Sequence, residues 1–397
     1  MRDELRLELL KRLIEMRSGR GPRIAPARRD LPAELYTSEQ RLAAESEALF
    51  RREPILFCHS SELSAPGAYV TADIGGIPLV AIRGDDAEVR VFANACRHRG
   101  ARIAGAPCGV ERVFQCPYHG WSYDRQGKLQ GLPFRGTFEG LEPVELGLLE
   151  LPSQERHGFV WTRARGGNSM DMAAFLGAAI DDDFEHFDFA SWHLHRTDVA
   201  ERDCNWKLIM DAFAEGFHVS VLHRSSLARF FLADCVLLDS YAPHTRHCGA
   251  RVSLKELPDR PESEWELMEH ATLFYNIFPN VVFVFHPDWV SQVSLFPVAV
   301  DRVCTVHRML IPRAPEGEKA RTHFDKSHAL IYKHVFEQED FAIAESIQSA
   351  IPAMEGRSFV AGGFERGLAL FHDAVQSAIE RMDERPTPRA SPTGLSP

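Results

Sequence analysis

The chain has 397 residues, a length that points to two domains. Its 45% hydrophobic and 25% charged content excludes a disordered, collagenous or fibrous protein. A net charge of −11, from 45 basic and 56 acidic side chains, argues against a nucleic-acid binder, because phosphate binding needs a basic surface.

In chain order, Met1 to Arg20 spaces Leu5, Leu9, Leu10, Leu13 and Met16 at helical intervals among charges, which predicts an amphipathic helix. It lacks the apolar core of a signal peptide. Without an export signal, the eight cysteines are expected to be reduced thiols or metal ligands, and the protein to be cytoplasmic. Residues 1–49 read as a charged helical arm packing on the second domain. From Pro54 the texture turns to β. Ala68–Ile74, Ile77–Arg83 and Glu88–Ala93 read as short strands, Trp121–Asp124 and Lys128–Gln130 as a hairpin, and Gly158–Thr162 as a further strand. Residues 50–165 are therefore expected to form a small antiparallel β domain.

After about residue 166 helices return. Met172–Ile180 and Val199–Phe217 are predicted helical, with the acidic run Asp181–Asp183 as a solvated helix end or turn. His244, His247 and Cys248 fall in an expected loop. Thr272–Phe285, Trp289–Pro297 and Arg302–Ile311 read as long β runs, and Thr322–Ile347 and Arg366–Met382 as amphipathic helices. Ile277 to Val300 is apolar, but Pro279, Pro287, Asp288 and Pro297 interrupt it, so it reads as buried strands and not as a membrane span. The tail 385–397 has four prolines and is expected to be disordered. The whole reads as α+β, with a second domain at 166–384 that sets a sheet against helices.

The eighteen histidines direct the search toward metal sites. Residues 94–100 read Asn-Ala-Cys-Arg-His-Arg-Gly, and 114–121 read Phe-Gln-Cys-Pro-Tyr-His-Gly-Trp. Cys96-x-His98 and Cys116-x-x-His119 thus lie seventeen residues apart, each at a turn with Gly100 or Gly120 for tight backbone. Two thiolates on one iron and two neutral imidazoles on the other give Rieske-type ligation. Two Cys and two His are also a zinc set, although zinc fingers usually pair like with like. Tyr118 is placed to aim a hydroxyl at a sulfur. Cys108, between the loops, is expected to be a small buried residue.

The motif Cys96-x-His98…Cys116-Pro-Tyr-His119-Gly-Trp121 resembles that of the oxygenase (α) subunits of Rieske non-haem iron oxygenases, including the aromatic ring-hydroxylating dioxygenases. The resemblance covers nearly the whole chain. It implies a Rieske antiparallel β domain followed by a helix-grip (START/SRPBCC-like) catalytic domain with a central antiparallel sheet. It implies a [2Fe–2S] cluster on Cys96, His98, Cys116 and His119, a mononuclear Fe(II), and O2 as co-substrate. Electrons from NAD(P)H would arrive through a ferredoxin or flavin reductase. The working electron path would cross between neighbouring subunits, most simply in a homotrimer.

Residues 205–223 hold the second constellation. At about 100° per residue, Asp211, Glu215 and His218 share one side of a helix, while His223 lies about 140° from His218. Both histidines reach one metal only where the helix ends, bulges or takes a π-type insertion. Two imidazoles and one carboxylate make the facial triad of non-haem Fe(II) oxygenases. The resemblance draws the third ligand from the acidic segment starting at Phe336: Asp340 matches the family's iron ligand, with Glu339 as its competitor. Glu215 matches an acid that bridges the two metal centres across a subunit boundary. Most relatives have Asp there, and Glu occurs in members acting on quaternary amines. Asp211 falls where several relatives carry Asn near the iron.

Phe213, Leu222, Phe230, Phe231, Leu237, Val284, Phe285 and Phe296 are expected to line the substrate pocket. Such a lining suits mono- or dihydroxylation of a small, largely apolar, aromatic substrate. The alternatives are oxidative N- or O-demethylation and quaternary-ammonium monooxygenation. A quaternary ammonium favours an aromatic cage, for which Tyr241, Tyr275 and Trp289 are available. A Rieske electron carrier without a catalytic iron is the rival of another class, and His218, His223 and Asp340 count against it.

Overall fold

The computed structural model describes residues 3–21, 24–140, 143–167 and 169–383. The tail expected to be disordered lies outside these residues. Short apolar runs broken by turn residues fold as antiparallel strands. Ala68–Ile74, Ile77–Arg83 and Val89–Ala93 pair in sequence order, and Glu150–Leu151 and Cys108–Val110 flank them in a five-stranded sheet. Cys108 is exposed on that edge, not buried as expected. Phe114–Gln115, Ser122–Tyr123 and Leu129–Gly131 form a second sheet. A third joins Ser153–Arg156, Phe159–Thr162 and Ile55–His59. Strand Ile55–His59 is buried at every position, and its alternate side chains serve two cores: Ile55 and Phe57 enter one, Leu56 the other.

The second half is built on a seven-stranded antiparallel sheet. Its order is His193–Arg202, Arg302–Ile311, Val290–Ala299, Val281–Phe285, Ala271–Ile277, His244–Arg251 and Phe231–Tyr241. Both faces are covered. Val281, Phe283 and Phe285 point toward the helices Asp3–Arg17 and Met172–Phe187. Val282 and Val284 point toward Trp206–Phe213, the helices from Gly317 to Ala350, and Arg366–Asp383. The N-terminal helix buries Leu5, Leu9, Leu10 and Leu13 against this sheet. Each such side chain contributes about 1.5–3 kcal/mol before the ordering entropy is subtracted. Arg12 adds an ion pair to Asp239 at 2.6 Å. Strand Arg28–Pro32 pairs with Ser358–Gly362, tying the arm to the far end of the chain.

Several local expectations are corrected. Val199–Arg202 is strand, not helix, and the helix that follows is only Trp206–Phe213, capped by the Asn205 side chain on the Lys207 N–H. The acidic run is no solvated end. It continues the helix to Phe187, where buried Asp183 accepts from Arg246 at 2.7 Å and from Tyr275 at 2.9 Å. His244, His247 and Cys248 lie in a strand and not a loop. Thr272–Phe285 divides into two strands. Residues from Gly317 to Ala350 run as one helical segment whose middle, Ala329–Phe341, is π-helical.

Candidate metal centres and substrate cavity

The two cluster loops share one backbone design. In each, the glycine N–H four residues on donates to the cysteine carbonyl: Gly100 to Cys96 at 2.8 Å, Gly120 to Cys116 at 3.1 Å. In each, the cysteine N–H donates to the carbonyl five residues on, to Ala101 at 2.8 Å and Trp121 at 2.7 Å. Gly100 and Gly120 adopt φ of 77° and 73°, the left-handed region that favours glycine. Cys96 and Cys116 are buried, and the His98 and His119 rings lie 4.6 Å apart. His98 stacks on Trp121 at 5.0 Å, and His119 is exposed. His98 Nδ1 is buried without a hydrogen-bond partner among the described residues, as befits a nitrogen reserved for a metal. The donors fit a [2Fe–2S] cluster. Tyr118 does not serve the sulfurs: it is exposed and accepts from Arg99 at 3.1 Å. Tyr123 takes that place. Its hydroxyl accepts from the Arg97 N–H at 3.0 Å and lies 3.2 Å from Cys96 Sγ. Burial and the bond to Cys96 push the Tyr123 pKa up, so its proton stays available to the sulfur.

His218, His223 and Asp340 come together, with ligand atoms within 4.8 Å of one another. The helix resolves the spacing problem by ending at Phe213. A one-turn helix, Val219–Leu222, then sits between the two histidines. Asp211 and Glu215 are thus not on one continuous helix with His218. The π-helical stretch lies instead under Asp340. Each imidazole is held at Nδ1 by a glutamate: His218 by Glu215, and His223 by Glu339 at 2.8 Å. That turns each Nε2 to Asp340 Oδ1, at 3.6 Å from His218 and 3.2 Å from His223. Asp340 is buried and its Oδ1 makes no hydrogen bond among the described residues, so the set fits a cation. Burial disfavours charge on His223, but Asp340 and Glu339 outweigh it and raise its pKa. Glu339 also accepts from Ser226 at 2.7 Å, which makes it the residue that orients His223. Asp211 is buried elsewhere, bound by Tyr36 at 2.7 Å and His372 at 2.9 Å. It faces a second cavity of about 480 Å³, which Glu215, His218 and Asp340 also line.

A cavity of about 540 Å³ opens on the histidines and Asp340, between sheet and helices. Phe213, Phe230, Phe231 and Val284 line it as expected, joined by Phe274, Trp289 and Phe336. The other expected lining residues do not. Leu222 lines the second cavity, beside Asp211. Phe285 follows Val284 on its strand and so faces the opposite side, packed 4.4 Å from Phe187. Phe296 packs on the helical core, and Leu237 on the core shared with the N-terminal helix. Tyr241 and Tyr275 also belong to that far side. Cross-strand pairing places His247, Phe274 and Val284 in one row on the cavity face, and Arg251 shares the parity of His247. Sequence reasoning missed Tyr123, Glu339 as an orienting group, Arg251 and Thr272. For Arg251 and Thr272, strand parity held the only signal.

Asp198, His307 and His328 also gather within 4.8 Å of one another. His328 and His307 approach Asp198 Oδ2 at 2.6 and 3.8 Å, and Arg196 and Lys333 approach Oδ1 at 3.6 and 3.7 Å, so this carboxylate has partners of its own in the structure. Among the described residues no helix is long and apolar enough to cross a membrane.

Residues 53–145 match the Rieske [2Fe-2S] domain, and 189–381 match the ring hydroxylating alpha subunit (catalytic domain). The carnitine monooxygenase oxygenase subunit of Acinetobacter pittii (strain PHEA-2) is 26% identical over 87% of this chain and 93% of its own length. Benzene 1,2-dioxygenase subunit alpha of Pseudomonas putida is 31% identical, over 53% of this chain and 48% of its own. A solved quaternary ammonium Rieske monooxygenase, studied for carnitine oxidation and inter-subunit electron transfer, superposes with a TM-score of 0.75 at 23% identity. It covers 88% of this chain and 95% of its own. With both domains matched and the donors of both centres in place, the chain belongs to the Rieske non-haem iron oxygenases as an oxygenase (alpha) subunit, an oxygen-incorporating enzyme that uses a [2Fe–2S] cluster, a mononuclear iron, O2 and reductase-delivered electrons.

Proposed function

We infer that this chain is the terminal oxygenase component that hydroxylates a small, largely apolar, aromatic substrate in the Phe-lined cavity. In this reading Cys96, His98, Cys116 and His119, in a domain spanning 50–165, hold the cluster. His218, His223 and Asp340, in a domain spanning 166–384, hold the iron. When bound, the two groups supply electrons and activate oxygen. The chain's own residues do the rest. Glu215 and Glu339 fix the imidazoles, the phenylalanines exclude water, and Tyr123 tunes the cluster. The observation that carries the reading is the cavity opening directly on the His–His–Asp set.

A second reading, monooxygenation of a quaternary ammonium compound, is favoured by the long match to carnitine monooxygenase and by Glu in place of Asp at 215. The cavity supports it less. Tyr241 and Tyr275 face away, and one face of Trp289 is taken by His286, stacked at 3.9 Å. A substrate screen with a surrogate reductase, scored by coupled O2 consumption and product mass, tests both. Turnover of betaines with none of aromatic substrates would replace the first reading by the second. An iron count near two per chain, the cluster alone, would sink both in favour of an electron carrier.

A homotrimer and a cytoplasmic setting belong to the same proposal. Exposed Tyr118 and His119 at the cluster, and exposed Phe217 and Val221 beside Glu215, offer complementary apolar surfaces for neighbouring subunits. The eight cysteines, all free, suit a reducing compartment. A fully active monomer by light scattering would overturn the trimer.

A further inference from the structure

The sheet wall of the main cavity carries a cation without a counter-ion. Arg251 ends strand His244–Arg251 on the face that lines the cavity. Its Nε and Nη2 donate to a single acceptor, Thr272 Oγ1, at 3.1 and 2.8 Å. No ion pair to Arg251 forms among the described residues. Buried or half-buried arginines elsewhere do meet carboxylates: Arg246 meets Asp183, Arg308 meets Glu62, Arg156 meets Asp181. Nor do the cavity's own acids answer it. Glu215 holds His218, Asp288 holds His323 at 2.6 Å, and Asp340 faces the two imidazoles. Burial lowers the Arg251 pKa with no acid to offset it, and the guanidinium remains charged. Burial and Arg251 together keep His286 neutral, pushing its pKa well down.

A guanidinium with free N–H groups in an apolar chamber is matched by one chemistry, a planar oxyanion that takes two parallel hydrogen bonds. The Thr272 hydroxyl accepts both bonds from Arg251, so its own proton is free to donate to the same group. We propose that the substrate carries a carboxylate, which Arg251 binds as a fork with Thr272 as a further donor, and that Arg251 is the specificity-determining residue of the cavity. The inference rests on this cavity being the substrate site. It narrows both substrate readings at once. Aromatic acids and betaines carry a carboxylate, whereas hydrocarbons and a bare quaternary ammonium do not.

The test compares acids with their amides: benzoate with benzamide, phenylacetate with phenylacetamide, and γ-butyrobetaine with its amide. Binding to the holoenzyme is measured by calorimetry, and coupled O2 consumption with a surrogate reductase. At least one acid is expected to bind about 100-fold more tightly than its amide. Arg251→Gln should erase that preference by raising KM more than it lowers kcat, and Arg251→Lys should restore part of it. Iron content and the cluster spectrum report that the variants are folded. The proposal is overturned if no acid outbinds its amide, or if the preference survives Arg251→Gln. Amides turned over as well as acids would remove the anchor and leave the oxygenase reading standing. Acids held through Arg251 with no O2 consumed would do the reverse.

Discussion

The two metal centres are assembled in opposite ways. The cluster donors sit in two loops with the same hydrogen-bond pattern, so each loop is complete within about six residues of chain. The candidate iron donors flank a one-turn helix and sit on a π-helical stretch more than a hundred residues later, with glutamates from both regions turning the imidazoles. The first centre depends on two local loops. The second depends on how two distant helical segments pack.

The largest expected effect separates the centres outright. Cys116→Ser should remove the red-brown cluster spectrum together with turnover. His223→Ala should abolish turnover and leave the spectrum intact. An active His223→Ala enzyme, or a colourless one, would contradict that independence. Next in size, Glu339→Gln leaves the ligands in place and loosens the orientation of His223. Iron affinity or activity should fall about 10- to 100-fold with the cluster unchanged. An unaffected variant would show that His223 needs no brace.

A finer probe acts on the cluster alone. Tyr123→Phe deletes the hydroxyl at Cys96 Sγ. One hydrogen bond of about 1–1.5 kcal/mol corresponds to a reduction potential lower by roughly 40–65 mV for one electron. Tyr118→Phe should leave the potential where it is. Equal shifts in the two variants would refute the assignment. The mildest probe is acid. Burial pushes the pKa values of His244, His247 and His307 down to about 4, and all three lie in the seven-stranded sheet. The unfolded chain takes up protons near pH 6.5, before the folded one does. Stability should therefore hold above about pH 6.5 and fall as pH drops toward about 4. A Tm that is the same at pH 7 and pH 5 would show that these histidines titrate normally.

The difference in construction also explains what the sequence made legible. Ala68–Ile74 and Ile77–Arg83 were readable to the residue, because alternation and flanking turns are local properties. The cluster loops were readable for the same reason. Strands His193–Arg202 and His244–Arg251 were not, since their polar residues are satisfied by remote partners such as Asp183 and the Phe175 carbonyl. Asp340 was legible only through family likeness, because nothing near it in the chain announces two histidines more than a hundred residues earlier. Tyr118 adjoins His119 in the chain, but the hydroxyl at the sulfur comes from Tyr123 on the strand that follows the loop. Composition alone suggests Phe285 for the cavity, but the alternating direction of side chains along its strand turns it to the other face.

The ribbon between Arg28–Pro32 and Ser358–Gly362 sets an order of events during synthesis. About 330 residues separate the partners, and a ribosome adding about 5–20 residues per second takes on the order of tens of seconds to supply the second strand. Residues 50–165 are made within that interval, while Arg28–Pro32 still lacks its partner strand and Leu31, buried in the finished protein, lacks its core. The last segments to arrive, around Ala361 and Leu368, close a small core over Ala214, the residue before Glu215. A nascent chain that has not reached residue 358 leaves the edge of Arg28–Pro32 open, and such an edge is what a chaperone would have to cover.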